Sequence, residues 1–386
     1  LVALSLHREH RPLPPPSQLE KRLTAAYNET ALKLYAELRK EPGNIAISPY
    51  SINTVMTMAL AGARSDTEAE MTKVLGLDLS GGSINTGNAR LLRRMTRQRA
   101  ELAIANGLCL TTGGPGVSPA YRKLLQQDYS AEVFTARDVK PINAWVEKRT
   151  DGKIPHLLDG LSPQSVCVLL NAVYFHGEWA GPFDKSLTRP ARFRVDDDTT
   201  VMVPMMYRHG VCGSFANDDY QAISLPYRGS SVAMVVVLPA DGKAIGDLEA
   251  GLSLARLQEM LEALEQPGEE EETVYLPRFR LEHSTDLIPA FEAMGMTLPF
   301  RENQADFGGM VGEADGVPGV SVSQIRHQAC LEVDEEGTRV AAATAADCEA
   351  AKEPIPFRAD RPFLFLLIER QTNAILFMGR VTNPLE

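Results

Sequence analysis

The sequence predicts a large α+β domain, and three observations carry that expectation. Helical periodicity opens the chain, β-branched and aromatic runs dominate its later two thirds, and no βαβ rhythm repeats between them. A chain of 386 residues can form one or two cooperative units. With no internal repeat and no interior linker, a single domain over 18–386 is expected, preceded by a flexible tail over 1–17.

From Leu19 to Arg39 apolar residues recur at helical spacing (Leu23, Ala26, Ala31, Leu34, Ala36), which predicts an amphipathic helix. GNIAISPYSINTVMTMALAGA then reads as a short strand running into a buried helix. Ser48 is its expected N-cap, and Pro49 suits the first turn because no backbone N–H is needed there. Thr67 and Glu70 have the spacing of a capping box before MTKVLGL. Strands are expected at VCVLLNAVYF, YQAISLPY, SVAMVVVLP, TVYLPRFRLE, PFLFLLIER and AILFMGRV, each bounded by Gly, Pro or Asp. Helices over GLSLARLQEMLEAL and LIPAFEAMG separate some of them. The acidic run Glu269 to Glu272 is expected as a solvated loop before a strand, with an acidic docking site as the alternative.

A net charge of −11 excludes bulk nucleic-acid binding and leaves room only for a local basic patch. No apolar run reaches the ~18 residues that cross a bilayer, so no membrane insertion is expected. The five cysteines (Cys109, Cys167, Cys212, Cys330, Cys348) are widely spaced and lack a C-x-x-C pair, which argues against a disulfide framework and against a metal site. LVALSLHREHRPLPPPSQ is apolar, then basic and Pro-rich; it is not a complete signal peptide but could come after one. Asn28 in NET is a glycosylation sequon, or a chance match on a helix. Nucleophile elbow, zincin motif, P-loop and dinucleotide fingerprint are all missing, and the seven histidines are scattered. Neither an enzyme nor a small-molecule or metal cofactor is expected.

One stretch fits none of these classes: EEGTRVAAATAADCEAAKE, Glu335 to Glu353. Read as a strand, one parity carries Thr338, Val340, Ala342, Thr344, Ala346 and Cys348, all small or β-branched and uncharged. The other carries Arg339, Asp347 and Glu349 among alanines. All the charge falls on one face, so a sheet could bury the first parity, and a one-residue slip would bury every charge. Gly337 precedes it, where a backbone hinge is easiest. An Ala-rich surface loop or weak helix is the alternative. A segment able to be either an exposed loop or a central strand implies two states.

NIAISPYSI, INAWVEKRTDGKI, NAVYFHGEW, VPMM, HQACLEVDEEGT, FRADRPFLFLLIE and LFMGRVTNP succeed one another as seven motifs of the serpin family, which the chain resembles from about residue 18 to its end. The resemblance implies three β-sheets with a large central sheet A, eight to nine helices and an exposed reactive-centre loop over about 337–356. It also implies a mechanism. A target serine protease attacks the loop as substrate and forms a covalent 1:1 acyl complex. The cleaved loop then inserts into sheet A and carries the protease some ~45 Å, the length of fourteen extended residues, so that a kinetic trap replaces tight binding.

On this resemblance Glu335, Glu336, Gly337, Thr338, Val340, Ala342 and Thr344 form the hinge. Ser48, Ser51, Asn171 and His327 form a polar shutter beneath the opening sheet, and Trp179, Arg278 and Glu335 the breach where insertion begins. Loop length sets the reactive bond at Ala351–Lys352. Ala351 as bait favours an elastase-like protease; Lys352 is the competitor and would favour a trypsin-like one. Gln328, Val340 and Cys109 depart from family habit, and only Val340 bears on activity, mildly, since it stays apolar. A non-inhibitory carrier or chaperone is the alternative, usually marked by a bulky, charged or Pro residue in the inward hinge parity, where this chain has none.

NARLLRRMTRQRAEL lies on a helix in this family. At 100° per residue Arg90, Arg93, Arg94 and Arg97 fall within an arc of ~100°, with Leu91, Leu92 and Met95 opposite. Four guanidinium groups are therefore expected to face solvent together. Related serpins bind heparin there, which makes a sulfated glycosaminoglycan the candidate ligand, with a plain solvated face as the alternative. Family habit further implies a secreted monomer, with an intracellular member as the alternative.

Overall fold

In a computed structural model the described residues are 14–98, 100–111, 116–136, 138–161, 167–265, 271–311, 320–337 and 356–386. The hinge beyond Gly337 (Thr338, Val340, Ala342, Thr344) and the bond Ala351–Lys352 lie outside them. Helices come first: α1 (Gln18–Leu38), α2 (Pro49–Gly62), α3 (Ser65–Val74), α4 (Gly81–Met95), α5 (Pro119–Tyr129) and α6 (Lys140–Arg149). The later ones are α7 (Ile245–Ala250), α8 (Leu254–Glu265), α9 (Ile288–Ala293) and α10 (Gly308–Val311). The described residues hold ten helices, three of which, α7, α9 and α10, are only six, six and four residues long.

The strands are β1 (Ile45–Ile47), β2 (Glu101–Thr111), β3 (Glu132–Ala136), β4 (Cys167–His176), β5 (Arg189–Arg194), β6 (Thr200–Val211), β7 (Gly213–Ala216) and β8 (Tyr220–Pro226). They continue with β9 (Val232–Pro239), β10 (Glu271–Pro277), β11 (Phe279–Asp286), β12 (Val322–Val333), β13 (Phe357–Arg358), β14 (Phe363–Glu369) and β15 (Ala374–Val381). They form three sheets: β11-β12-β4-β2-β3, β1-β15-β14-β9-β8-β7 and β13-β10-β6-β5. TVYLPRFRLE, expected as one strand, is two strands in different sheets. Pro277 ends β10, and Phe279 opens β11 in the five-stranded sheet.

β4 is buried along nearly its whole length, so both of its parities are apolar. Leu169, Val173 and Phe175 join the main core, which α2 also lines, while Val168, Leu170, Ala172 and Tyr174 join a second cluster with Ile142 and Val146 of α6. Covering a sheet on both faces this way demands continuous hydrophobic strands.

Three local expectations are corrected. Ser48 flanks α2 but makes no side-chain cap; its Oγ donates instead to the Leu376 carbonyl at 2.6 Å. Thr67 and Glu70 lie inside α3, not at its start. They accept N–H bonds from Asp306, Thr297 and Leu298 across the fold, where tertiary donors outcompete a local cap. Finally, packing reaches back before residue 18. Ser17 forms a capping box with Glu20, and the Pro14 carbonyl accepts from Arg94 at 2.9 Å.

Candidate functional site

Two central strands of the five-stranded sheet, β4 and β12, are parallel neighbours, paired from Val322↔Cys167 to Leu331↔Phe175 with a bulge between Val322 and Gln324. Each is antiparallel to its other neighbour, β2 or β11. A strand running opposite to both could enter between them and turn one parallel ladder into two antiparallel ones, which are slightly more stable per residue. The chain prepares for that direction. After β12 it reverses in a tight turn, with Asp334 bridged to Gly337 and the Gly337 N–H on the Asp334 carbonyl at 3.3 Å. Gly337 has φ +92°, and a Cβ there would lie 2.4 Å from the Gly177 carbonyl and the Trp179 nitrogen. Only glycine fits both the backbone conformation and the space.

Behind this pair of strands the predicted shutter residues converge. His327 and Asn171 face each other in register, and a ring nitrogen, Nδ1, bonds the Asn171 Oδ1. The other, Nε2, accepts the Ser48 N–H at 3.1 Å. His327 is fully buried, and burial, with His283 adding repulsion, holds its pKa down to about 3. The ring is therefore neutral, with its proton on Nδ1, the tautomer that both partners require. Asn171 Nδ2 donates to Ser51 Oγ and to Asn106 Oδ1, the latter at 2.7 Å. Asn106, which sequence reasoning missed, sits directly opposite Asn171 in register. Its signal was legible: it is a lone amide inside the apolar strand LAIANGLCL. The network joins α2, β2, β4 and β12, so separating β4 from β12 must break it.

At the other end of the gap lies the breach. Trp179 is buried and stacks on Tyr227 with centroids 4.5 Å apart, and its Nε1–H donates to the Asp334 carbonyl at 2.9 Å. Arg278 grips Glu335 through Nη2, at 2.6 and 2.8 Å from the two carboxylate oxygens, and Thr188 Oγ1 adds a third bond at 2.6 Å. Burial pushes the Glu335 carboxyl upward, but the bonds from Thr188 and Arg278 outweigh it and leave the pKa below the usual range. Lys185 pairs with Glu336. Lys185 opens a short 3₁₀ turn and Thr188 follows it, and that turn has no motif of its own, so sequence alone did not single them out.

One expectation fails here, and one open choice falls to its alternative, a chance sequon on a helix. Arg94 does not face solvent: it is 4% exposed, and its Nε lies 3.3 Å from Glu20 of α1. It stands at the edge of the predicted arc next to Leu91, close enough to the apolar side for α1 to cover it. Arg90, Arg93 and Arg97 are exposed. Asn28 is buried, with its Nδ2 donating to the Asn373 carbonyl at 2.7 Å and its Oδ1 accepting from Ile375 N–H. An asparagine committed on both amide atoms is not presented for glycosylation in the folded protein. Among the described residues Cys109, Cys167, Cys212 and Cys330 are free and buried, no cluster could hold a metal, and no helix is long and apolar enough to cross a membrane.

The family model described as serpin (serine protease inhibitor) matches residues 25–384. Leukocyte elastase inhibitor of Bos taurus is 35% identical over 94% of this chain and 100% of its own length. Serpin B8 of Bos taurus is 35% identical over 88% and 93%. Among solved structures, human thyroxine-binding globulin complexed with thyroxine superposes with a TM-score of 0.86 at 27% identity, covering 95% of this chain and 100% of that one. The thermophilic serpin Tengpin in its native state gives 0.85 at 26%, covering 97% of each. A parallel strand pair with a glycine hinge at one end and a buried polar lock beneath it is therefore set in a chain that belongs to the serpin family.

Proposed function

We propose that this serpin is a suicide-substrate inhibitor of serine proteases and not an enzyme. The single observation that supports this most is the β4–β12 pair, parallel and without an intervening strand, with the chain reversing at Gly337 beside it. Inserting the uncharged parity from Thr338 to Cys348 would bury no charge and complete the sheet. Ala351 is proposed as the bait for an elastase-like protease, a choice in keeping with the relative named leukocyte elastase inhibitor; Lys352, with a trypsin-like target, is second. The test is incubation with each protease class, denaturing electrophoresis and sequencing of the released C-terminal fragment. A detergent-stable 1:1 complex with cleavage after Ala351 is expected. Cleavage with release of active protease by every enzyme would overturn inhibition and favour the carrier reading, which the likeness to thyroxine-binding globulin keeps in view.

The protein is further proposed to act as a monomer and to bind a sulfated polyanion through Arg90, Arg93 and Arg97 of the α4 region. Secretion remains the proposed location, now resting on the N-terminal composition and family habit, since Asn28 is buried. A relative from Tachypleus tridentatus at 33% identity is named an intracellular coagulation inhibitor, which supports the alternative.

A further inference from the structure

The outer face of the four-stranded sheet holds a cleft of about 450 Å³ that the inhibitory reading does not use. Strand pairing sets its lining. Tyr275 of β10 lies between Tyr207 of β6 and Arg358 of β13, directly opposite each. Met205, two residues before Tyr207 and so on the same face, stands opposite Arg189 of β5. Tyr275 and Tyr207 are 5.3 Å apart between ring centroids and, with buried Met205, make an apolar floor. Leu187, 44% exposed, forms part of the rim.

Two guanidinium groups border this floor. Arg358 lies over the Tyr275 ring with its central carbon 3.9 Å from the centroid. A guanidinium held by a ring keeps its in-plane N–H groups for an oxyanion. Arg189 donates to the Thr188 carbonyl at 2.9 Å and feels the Asp184 carboxylate. That carboxylate is itself occupied, accepting from Ser186 N–H and Oγ. Among the described residues neither arginine has a carboxylate within ion-pair distance, in a protein whose net charge is −11. The cleft therefore carries local positive potential over an aromatic base, with the volume of a small-molecule site.

We propose that this cleft binds a small apolar anion: an aryl or short alkyl carboxylate whose body rests on Tyr207, Met205 and Leu187 and whose oxygens meet the arginine rim, Arg358 first. β13 is only two residues long and begins just past the loop, so the occupant would add a tie between that strand and the rest of the sheet.

The probe is 2-naphthoate, titrated calorimetrically into the intact protein at neutral pH and low salt, beside 2-naphthamide as its uncharged analogue. Binding of the acid below about 1 mM is expected, as suits a ligand of this size, with the amide at least tenfold weaker. Arg358→Gln should weaken the acid about tenfold, and Arg189→Gln, at an exposed position whose loss does not threaten folding, severalfold. Lys33→Gln/Lys73→Gln on α1 and α3, exposed and outside the cleft lining, should change nothing. No heat at millimolar acid, equal binding of acid and amide, or unchanged affinity in Arg189→Gln and Arg358→Gln would each overturn the proposal. A weakening by Lys33→Gln/Lys73→Gln equal to that by Arg189→Gln would do so too, because it would mark diffuse charge rather than a site.

Discussion

His327 spends both ring nitrogens on neutral partners, which makes the shutter a pH-sensitive lock. Its folded pKa, about 3, lies below the ordinary histidine value of 6.5, so between those values the unfolded chain binds a proton that the folded one does not. Stability from this residue is fully present above pH 6.5 and drains away as pH falls toward 3, by roughly 5 kcal/mol if the whole window is crossed. His283, whose pKa burial also depresses, works in the same direction. Thermal melts from pH 7.5 to 5 should fall for the wild type and flatten in His327→Gln; identical slopes would remove His327 as the cause. Gly337→Ala addresses the other end. Its Cβ would meet two backbone atoms at 2.4 Å with φ at +92°, so the turn must deform, at a cost of about 1–3 kcal/mol. The expected readout is faster proteolysis within 334–353 without global unfolding, and an unchanged cleavage rate would mean the turn does not hold the hinge.

Between residues and the molecule stand two elements whose faces decide what they do. In the segment beyond Gly337 the proposed insertion distinguishes parities. Thr338→Arg or Ala342→Glu should convert inhibitor to substrate, since each brings an unpaired charge to the face to be buried, at a cost of several kcal/mol. Ala341→Glu, on the wetted parity, should change the inhibitory stoichiometry little; equal effects from both parities would sink the model. On α4 the correction at Arg94 reshapes the polyanion test. Arg90→Ala/Arg93→Ala/Arg97→Ala should abolish heparin retention and its salt dependence while leaving the melting temperature nearly unchanged. Arg94→Ala should instead cost about 2 kcal/mol, because it takes the cation from one oxygen of the buried Glu20 carboxylate while Ser17 holds the other. Heparin retention that survives the triple substitution would place the patch elsewhere.

For the whole molecule, the proposed mechanism makes the five-stranded sheet an incomplete state, kept from completion by connectivity. On that proposal the segment between Gly337 and β13, joined to the fold at both ends, enters the sheet over its full length only once it is cut. Roughly ten new backbone hydrogen bonds at about 1 kcal/mol each would form, and for a chain of this size they should raise the melting point by at least ~10 °C. Calorimetry of intact and loop-cleaved protein measures this directly, and equal melting points would show that the cut loop stays outside.

By itself the sequence determined the family and the longer helices and strands, and through the family resemblance it pointed to Ser48, Ser51, Asn171, His327, Trp179, Arg278 and Glu335. These were legible because seven motifs keep their order and because hydrophobic periodicity is a local signal. What only tertiary structure decided are contacts between residues far apart in the chain. Asn28 looks like an exposed sequon until the turn at Asn373, 345 residues away, closes over it. Arg94 looks like its neighbours until Glu20, 74 residues back, takes its charge. Asn106 joins the shutter only because β2 pairs with β4 in one register. Local periodicity says which face of a helix or strand is apolar; which partner covers a polar side chain at the edge of that face is settled by the packing of the whole fold.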